Sequence, residues 1–230
     1  MKITKNRKQM LNNFDTTKVY EPLEAIKILK EKSYVKFKET IDISINLGID
    51  SNKTDQNIKG VVNLPNGTGK TVKVAVIANE EKQNDAKNNG ADLVGSDDLI
   101  EIISKSKIEF DVLIATPDMM PKLGKVAKIL GPKGLMPNPK LGTVTENLKT
   151  AISDAKSGQA EIRNDKDGNI GVSIGKKSFS DEKLIKNFNA VIETLEKEKS
   201  NNTVKGDLIR TVFVTSTMGV SYKLKLGKNI

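Results

Sequence analysis

The sequence predicts an α/β protein built from three consecutive segments, and the spacing of its apolar residues carries that prediction. In residues 68–158, short apolar runs alternate with polar stretches of helix length, which is typical of βαβ units around a parallel sheet. In residues 1–67 and 159–230, the stretches 41–47 and 220–226 alternate apolar with polar residues, which is typical of strands with one face in water. The three segments carry net charges of +4, +1 and +4, so the positive excess lies in the flanks. If the flanks fold together, they form one basic domain into which the middle segment is inserted.

The first segment begins with a predicted helix and a predicted strand. The helix starts at Pro22, which suits the first helical position, and its apolar face carries Leu23, Ile26 and Leu29. The strand follows because Ile and Leu occupy alternate positions of 41–47, with Asp, Ser and Asn between them. The change of period from helix to strand separates the two elements.

Short strands are predicted on both sides of an expected domain boundary. A strand over 58–64 ends at the turn-forming residues 65–69, and the boundary is expected there. Beyond it, the apolar runs 72–77 and 111–115 predict two buried parallel strands.

Residues that start and terminate helices divide the rest of the middle segment. A capping box of Thr143 and Glu146 is expected to open the last of its helices. The four predicted helices run from Glu80 to Gly90, from Ser96 through Ile103, from Pro121 to Gly131, and through Leu148 and Ile152 to a close near Gly158.

The last segment predicts a hairpin, a long helix and two closing strands. Residues 160–163 and 170–174 flank a charged turn and are predicted to pair with each other. Apolar residues from Leu184 to Leu195 recur at helical spacing and predict a strongly amphipathic helix. The closing strands are predicted over 208–215 and 220–226.

Composition removes several kinds of chemistry. The chain has no Cys, His or Trp, so disulfides, thiolate nucleophiles, zinc ribbons and histidine acid–base catalysis are excluded. Carboxylates, Lys, Ser, Thr and Tyr remain, and an enzyme is therefore disfavoured without being excluded. The basic N-terminus precedes no apolar run, and no stretch of about 18 apolar residues occurs, so we expect a cytoplasmic protein. The net charge of +9 suits an anionic partner such as nucleic acid.

The segment 67–71 has the sequence of the end of a phosphate-binding loop, but the match is incomplete. Such a loop needs Gly where this chain has Leu64, and it opens a helix, whereas this segment leads into a predicted strand. No G-x-G-x-x-G follows a predicted strand, so a dinucleotide fingerprint is also missing. An inter-domain turn is the favoured interpretation. The alternative is a nucleotide-dependent α/β enzyme in which Lys70 or Lys133 holds phosphates.

Two pairs of adjacent carboxylates are better explained by helix stability than by catalysis. Glu80 with Glu81, and Asp97 with Asp98, lie in the first turns of predicted helices, where acids favour the helix dipole. We therefore predict neither catalytic residues nor a metal site.

Three stretches are candidates for binding. The loop 131–140 combines Pro, Gly and Lys with an apolar pair that looks exposed, and a binding surface explains it as well as a connector does. The segment 215–219 offers hydroxyls, Met and Gly to a phosphate or ribose 2′-OH, although it also suits an ordinary hairpin turn. The segment 36–40 mixes cations, an aromatic ring and a hydroxyl, but Phe37 taken alone is better explained as core.

Six motifs in chain order carry a family resemblance. They are Lys36-Phe37-x-Glu39-Thr40, Asp55-Gln56-Asn57, Leu64-Pro65-Asn66-Gly67-Thr68-Gly69-Lys70, Gly131-Pro132-Lys133-Gly134-Leu135-Met136-Pro137-Asn138-Pro139-Lys140-Leu141-Gly142-Thr143-Val144, Arg163-Asn164-Asp165-Lys166 and Thr217-Met218-Gly219. They span almost the whole chain, and the fourth is very specific by itself. Together they resemble the family of bacterial ribosomal protein number one of the large subunit, a stalk protein.

The resemblance implies a fold and a function. It implies a split α/β domain of α+β sandwich type, 1–67 with 159–230, carrying an inserted Rossmann-like three-layer α/β domain, 68–158. The implied function is non-catalytic, needs no cofactor, and consists of binding the ribosomal RNA of the mobile stalk near the tRNA exit site and aiding release of deacylated tRNA. Further implied partners are exit-site tRNA, the mRNA of its own operon, whose translation it would repress, and other large-subunit proteins through the ribosome.

The resemblance also assigns site residues. Shape and 2′-OH contacts should dominate over base-edge readout, with lysines adding salt-dependent attraction. This chain departs from the family at Val220, where Pro is common, and at Lys38, where an acid is common. The implied main RNA surface is Lys36, Phe37, Thr40, Lys166, Gly168, Ser216, Thr217, Met218 and Gly219, and a second, weaker contact is Lys133, Met136 and Lys140.

A general DNA-binding protein is a further alternative to the function that the resemblance implies, since the basic excess alone permits it.

Overall fold

The structure, a computed structural model, describes residues 5–11, 14–15, 17–50, 53, 56–105, 108–201 and 207–225. The described residues of Met1–Gly69 and Ala160–Ile230 form one compact unit, the split unit, and those of Lys70–Gln159 form a second, the inserted unit. Both units combine helices with sheets, so the predicted α/β class is confirmed. None of the described helices is long and apolar enough to cross a membrane.

Helices and strands alternate along the described chain. The helices are α1 (Lys5–Leu11), α2 (Pro22–Lys32), α3 (Glu80–Asn88), α4 (Asp97–Ser104), α5 (Met120–Leu123), α6 (Ala127–Leu130), α7 (Leu148–Ser157) and α8 (Asp181–Asn201). The strands are β1 (Val19–Tyr20), β2 (Thr40–Leu47), β3 (Lys59–Asn63), β4 (Val74–Ile77), β5 (Leu93–Gly95), β6 (Val112–Ala115), β7 (Gln159–Arg163), β8 (Asn169–Lys176), β9 (Ile209–Ser216) and β10 (Tyr222–Leu224). Leu226, predicted to continue the last strand, lies outside the described residues.

The split unit is organised around a five-stranded sheet with the order β1-β10-β9-β2-β8. Strand β1 runs parallel to β10, and the other neighbours are antiparallel. The alternation along β2 buries Ile41, Ile43, Ile45 and Leu47, as predicted, because successive side chains face opposite sides of a sheet. Helices α2 and α8 add their apolar faces to this core, and Val62 of β3 and Ile162 of β7 also belong to it.

The two helices of this core differ in how well their periodicity predicts burial. Along α8 the predicted apolar face is buried from Leu184 to Leu195. Along α2 the buried residues are Ala25, Ile26 and Leu29. Leu23 is 42% exposed, so its predicted place on the core face is wrong. The helix turns the stripe around Ala25 and Leu29 toward the sheet, and Leu23 projects away from that stripe.

The predicted hairpin over 160–174 is wrong in its pairing. Strand β8 pairs with β2, whereas β7 leaves that sheet and pairs with β3. The turn itself forms, because Asp165 Oδ1 accepts hydrogen bonds from the N–H groups of Asn169 at 2.7 Å and Asp167 at 2.9 Å. The Asn169 N–H, above all, holds the pKa of Asp165 below its ordinary value. Local turn residues thus determine the turn, while the pairing depends on β2 and β3, which are distant in sequence.

The inserted unit has three layers. Its parallel sheet has the order β5-β4-β6. Val74 and Val76 of β4 pack with α3 and α7 on one face, and Ala75 and Ile77 pack with α4 and 117–130 on the other. Because both faces are covered by helices, β4 is buried along its whole length, which explains its continuous apolar run.

One helix prediction in the inserted unit needs correction, and one strand was missed. The helix predicted from Pro121 to Gly131 is divided into α5, α6 and short 3₁₀ turns. Strand β5 was not predicted, because three residues are too short a run to stand out.

The predicted capping box is also wrong. Val144, which follows Thr143, forms a parallel bridge with Ala115 and so extends the sheet instead of entering a helix. Helix α7 begins later, at Leu148, where Asn147 Oδ1 accepts a hydrogen bond from the Thr150 N–H at 3.5 Å. It closes at Gly158, as predicted, with φ at +105° in the left-handed region that favours Gly.

Two carboxylates accept hydrogen bonds from backbone N–H groups at the start of β4. Asp92 Oδ2 accepts a hydrogen bond from the Val74 N–H at 2.9 Å and lies 3.2 Å from Lys156 Nζ. Asp111 Oδ2 accepts one from the Lys73 N–H at 3.0 Å. The Val74 N–H, assisted by Lys156, holds the pKa of Asp92 below its ordinary value. The stabilisation by Asp92 is therefore complete above pH 3.8 and is lost as the pH falls through the lower pKa of the folded protein.

Asp92→Asn should test this pH dependence. The amide keeps a neutral acceptor for Val74 but loses the charge, so we expect Tm at pH 7 to fall by about 1–3 °C. As the pH falls from 3.8 through the lower pKa of the folded protein, Asp92 of the wild type is protonated and loses the charge that the variant lacks, so the difference in Tm should narrow steadily. Thermal melts from pH 7 to pH 2, with Glu101→Gln on α4 as an exposed control, measure this; a difference that stays constant with pH contradicts it.

Candidate nucleic-acid interface

Two loops meet at one end of the central strand β2. The N–H of Thr40, the first residue of β2, donates to Thr217 Oγ1 at 3.1 Å, and the Thr217 N–H donates to the Thr40 carbonyl at 3.1 Å. The pairing continues into the sheet, where Ile41 lies opposite Ser216 at the end of β9. The structure therefore brings 36–40 against 216–219, and we call these two segments the strand-end cluster.

A buried carboxylate holds the strand-end cluster together. Glu39 is 1% exposed, and its Oε1 accepts hydrogen bonds from the Met218 N–H at 3.0 Å and from Ser216 Oγ at 3.4 Å. Its Oε2 is buried and meets no hydrogen-bond donor among the described residues. A buried carboxylate oxygen without a donor is costly, and the two hydrogen bonds to Oε1 offset that cost in part, so Glu39 joins the two segments from inside the protein.

The turn 216–219 is tight and presents its apolar residue outward. The Gly219 N–H donates to the Ser216 carbonyl at 3.0 Å, and a β-carbon on Gly219 would collide with Ser216 Oγ. Ser216 is buried, whereas Met218 is 51% exposed. Ser216 and Gly219 thus shape the turn, and Met218 is accessible to a ligand.

The other segment of the cluster is basic and aromatic at its surface. Phe37 is 53% exposed, so its interpretation as core is wrong. Lys36 and Lys38, on either side of it, are also exposed. An apolar ring flanked by cations can stack on a nucleobase while the ammonium groups approach phosphates.

Two lysines that no sequence motif marked lie at the same end of the sheet. Lys176 stands opposite Thr40 in the pairing of β8 with β2, and the Lys177 N–H donates to the Glu39 carbonyl at 2.8 Å. Sequence reasoning missed them because their position depends on this long-range pairing. It also gave Glu39 no role, although a single acid in a basic loop just before a strand was an available signal.

The end of β8 that carries Lys176 is shaped by a β-bulge. Opposite β2, the pairing passes from Ser173 directly to Gly175, so Ile174 has no partner on β2. Such an extra residue leaves a backbone carbonyl that needs another donor. The Ile174 carbonyl therefore needs a hydrogen-bond donor from outside the sheet.

Asn187 of α8 supplies that donor. It is fully buried, and its Nδ2 donates to the Ile174 carbonyl at 2.7 Å and to the Gly67 carbonyl at 3.0 Å. Its Oδ1 accepts a hydrogen bond from the Asn66 N–H at 3.1 Å. One side chain thus links α8, the bulge and the turn at 66–67.

Lys166 and Gly168 lie at the opposite end of β2 from the strand-end cluster. The Gly168 carbonyl accepts a hydrogen bond from the N–H of Leu47, the last residue of β2. Leu47 lies seven positions along the strand from Thr40, which corresponds to about 23 Å at about 3.3 Å per residue. Gly168 is buried with φ at +75°, so it shapes the turn, and Lys166 is exposed. The implied RNA surface therefore consists of two separate places on the split unit.

An open cavity of about 650 Å³ adjoins this second place. Most of its polar lining is basic or amide, with Asp165 as the acid. Asn164 supports one wall, because its Oδ1 accepts a hydrogen bond from the Ile58 N–H at 2.8 Å. The lining residues are Asn57, Ile58, Lys59, Arg163, Asn164, Asp165 and Lys166.

In the inserted unit, the loop 131–140 is less exposed than its sequence indicated. Leu135 and Met136 are half-buried and pack on the core beside α4, so their exposed appearance in the sequence is wrong. Lys133 is exposed, and the side chain of Lys140 lies outside the described residues. Thr143 Oγ1 closes the loop by accepting from the Asn138 N–H at 2.8 Å and donating to the Asn138 carbonyl at 3.1 Å.

The nucleotide-binding alternative finds no support in the geometry. The chain turns at 64–67, where the Gly67 N–H donates to the Leu64 carbonyl at 3.0 Å, and the segment 67–71 then leads to strand β4 instead of a helix. A phosphate-binding loop needs the N-terminus of a helix behind it. Among the described residues, no group of three or more acidic side chains is arranged to hold a metal ion.

Comparison with known proteins gives consistent matches over most of the chain. The sequence model described as the ribosomal protein L1p/L10e family matches residues 29–220. The large ribosomal subunit protein uL1 of Pelagibacter ubique (strain HTCC1062) is 60% identical over 202 residues, which cover 88% of each chain. The uL1 proteins of Rickettsia peacockii (strain Rustic) and Rickettsia bellii (strain OSU 85-389) are 55% and 53% identical, covering 90% and 91% of this chain and 87% of each relative.

Proposed function

We propose that this chain, which belongs to the ribosomal protein L1p/L10e family, binds the ribosomal RNA of the mobile stalk through the strand-end cluster. As a member of that family it is a structural protein of the large ribosomal subunit and not an enzyme. As a large-subunit protein it is associated with the ribosome. The stalk, the contacting residues and any further RNA partner are the parts that we propose.

The strand-end cluster carries this proposal because it is rigid, basic and accessible. Its shape is held by the hydrogen bonds of Thr40 with the N–H and the hydroxyl of Thr217 and by the buried Glu39. Its surface presents Phe37 and Met218, each more than half exposed. A preshaped surface with apolar contacts suits folded RNA, since little conformational entropy is lost when the partner docks.

The lysines around the strand-end cluster favour phosphates as the groups of the RNA nearest to it. Lys36 and Lys38 are exposed on either side of Phe37, and Lys176 and Lys177 lie at the same end of the sheet. We therefore expect the phosphates of the RNA to lie over these four lysines, while shape and 2′-OH contacts distinguish RNA from DNA.

The second place on the split unit would extend the RNA contact. Lys166, with Lys59 and Arg163 at the adjoining cavity, provides cations near the end of β2 that lies about 23 Å from the strand-end cluster. A folded RNA can span that length, whereas a small ligand cannot. Lys133, Met136 and Lys140 of the inserted unit would add the second, weaker contact.

Further roles follow from the family resemblance. We propose that the bound stalk positions the protein to contact exit-site tRNA and aid release of deacylated tRNA, and that it works beside other large-subunit proteins in the ribosome. We also propose that the mRNA of its own operon presents a similar RNA surface, so that binding represses its translation.

Lys166→Gln should reduce the salt dependence of RNA binding. A lysine that neutralises a phosphate releases a counterion, so its loss should lower the slope of log Kd against log salt by about one unit. Filter-binding titrations at several salt concentrations measure the slope, with Lys225→Gln beside β10 as a control of equal charge. An unaltered slope for Lys166→Gln would mean that Lys166 does not contact a phosphate.

The proposed function can be tested against its two alternatives, a general DNA-binding protein and a nucleotide-dependent enzyme. The stalk segment of the large-subunit RNA of Pelagibacter ubique should bind at least about 100-fold more tightly than duplex DNA of equal length. ATP and NAD should leave Tm unchanged, because the nucleotide alternative alone expects a shift. Equal affinity for duplex DNA, or a nucleotide-dependent shift, would reject the proposal.

A further inference from the structure

The aromatic residues of the chain are divided sharply between core and surface. The sequence has three Tyr, six Phe and no Trp, and the structure describes every one of them. Only Tyr34, 41% exposed, and Phe37, 53% exposed, lie at the surface, while the rest are buried or half-buried. Both exposed rings lie in the loop that joins α2 to β2.

The other two tyrosines, Tyr20 and Tyr222, have structural roles and are buried in the core. Tyr20 and Tyr222 are 7% and 1% exposed, and in the core their rings pack edge to face, with centroids 5.2 Å apart. Burial of an aromatic ring is strongly stabilising, and the scarcity of rings makes each exposed one a significant loss to the core. Tyr34 lacks the stabilisation that burial would give it, and it lies in sequence beside a surface already proposed to bind RNA.

The surroundings of Tyr34 define the chemistry of its ligand. Lys36 and Lys38 are exposed in the same loop, so both rings have cationic residues close to them along the chain. Three residues span at most about 11 Å between the Cα atoms of Tyr34 and Phe37, a distance that neighbouring nucleotides can cover. An apolar protein partner would gain nothing from the lysines, whereas an unpaired nucleotide offers a flat base and a phosphate together.

We infer that Tyr34 is a second base-stacking residue of the RNA interface, which together with Phe37 receives unpaired bases of the bound RNA. The inference rests on the proposed function and goes beyond it, because it predicts that the RNA is unpaired at this loop. Duplex RNA hides its bases and offers neither ring a stacking partner.

Chemical modification of Tyr34 provides a direct test. Tetranitromethane nitrates exposed tyrosines, and the burial of Tyr20 and Tyr222 leaves Tyr34 as the reactive one in the folded protein. The stalk RNA fragment of Pelagibacter ubique should slow nitration of Tyr34 at least about tenfold at saturation, by covering the ring. A fully paired RNA of equal length, at a concentration where it is bound, should leave the rate near that of the free protein.

Substitutions separate stacking from simple occlusion. Tyr34→Leu removes the ring but keeps apolar bulk, and it should weaken binding of the stalk fragment by about 5- to 100-fold, since each stacked base contributes on that scale. Tyr34→Phe keeps the ring and should bind within about twofold of the wild type. Leu23→Ala, a similarly exposed apolar residue on α2, is the matched control and should bind as the wild type does.

The outcomes distinguish this inference from the proposed function. If the stalk fragment binds the wild type tightly but leaves nitration of Tyr34 unchanged, or binds Tyr34→Leu as tightly as the wild type, the inference is wrong and the proposed function stands. If the fragment does not bind the wild type, both are wrong. Protection by an added protein with no protection by RNA would identify the ring as a protein contact and also overturn the inference.

Discussion

Met218→Ala is expected to weaken binding of stalk RNA by about 1–3 kcal/mol, or about 5- to 150-fold in Kd, while leaving the fold intact. Met218 is 51% exposed at the tip of the strand-end cluster, so the folded protein gains little from its side chain. Its backbone N–H, which donates to Glu39, is unchanged by the substitution. We therefore expect Tm to shift by less than about 2 °C while the Kd measured by filter binding rises.

Two further variants show whether the loss of affinity is local. Val19→Ala removes an apolar side chain that is 44% exposed on β1 and should bind RNA as the wild type does. Thr217→Ala should weaken binding to a similar extent as Met218→Ala, but it also removes the acceptor of the Thr40 N–H and should cost about 1 kcal/mol of stability. Unchanged affinity for both Met218→Ala and Thr217→Ala would exclude the turn 216–219 from the RNA interface.

The largest loss of stability is expected from Asn187→Leu. The substitution keeps the volume of the side chain but removes the donors to the Ile174 and Gly67 carbonyls and the acceptor of the Asn66 N–H. The Ile174 carbonyl lies at the bulge of β8 and has no partner on β2 to replace Asn187. We expect the free energy of unfolding to fall by about 2–4 kcal/mol, because buried backbone groups are left without partners.

Urea unfolding of Asn187→Leu and of a control measures this effect. Lys186→Ala changes the exposed neighbouring residue on α8 and should alter the free energy of unfolding by less than about 0.5 kcal/mol. A loss below about 1 kcal/mol for Asn187→Leu would mean that water or a local shift satisfies the bulge. A native-like Asn187→Leu should also bind RNA more weakly, because the bulge positions the end of β8 that carries Lys176.

Local periodicity predicted the elements whose burial is set within the element itself. Alternation gives the buried face of β2, and helical spacing gives the buried face of α8, because one face of each meets a continuous core. The same reasoning was wrong for the hairpin over 160–174 and for Leu23, because pairing and helix rotation are decided by partners far away in sequence.

The candidate site shows the same division. Motifs pointed to 36–40 and 216–219, and the structure brings these segments together through Thr40 and Thr217. No local pattern shows that Lys176 stands beside Thr40, or that Lys166 lies at the other end of β2, since both facts depend on the pairing of β8. The burial of Glu39 is likewise a product of tertiary contacts, since acids are normally exposed.

Ultraviolet crosslinking of ribosomes from the source cells, followed by mass spectrometry of the RNA-linked peptides and sequencing of the attached RNA, tests the central proposal most directly. We expect the linked peptides of this protein to include 36–40 and 216–219, attached to the stalk segment of the large-subunit RNA. Crosslinks that fall only in the inserted unit, or an attached RNA from elsewhere in the ribosome, would contradict the strand-end cluster as the stalk-binding surface.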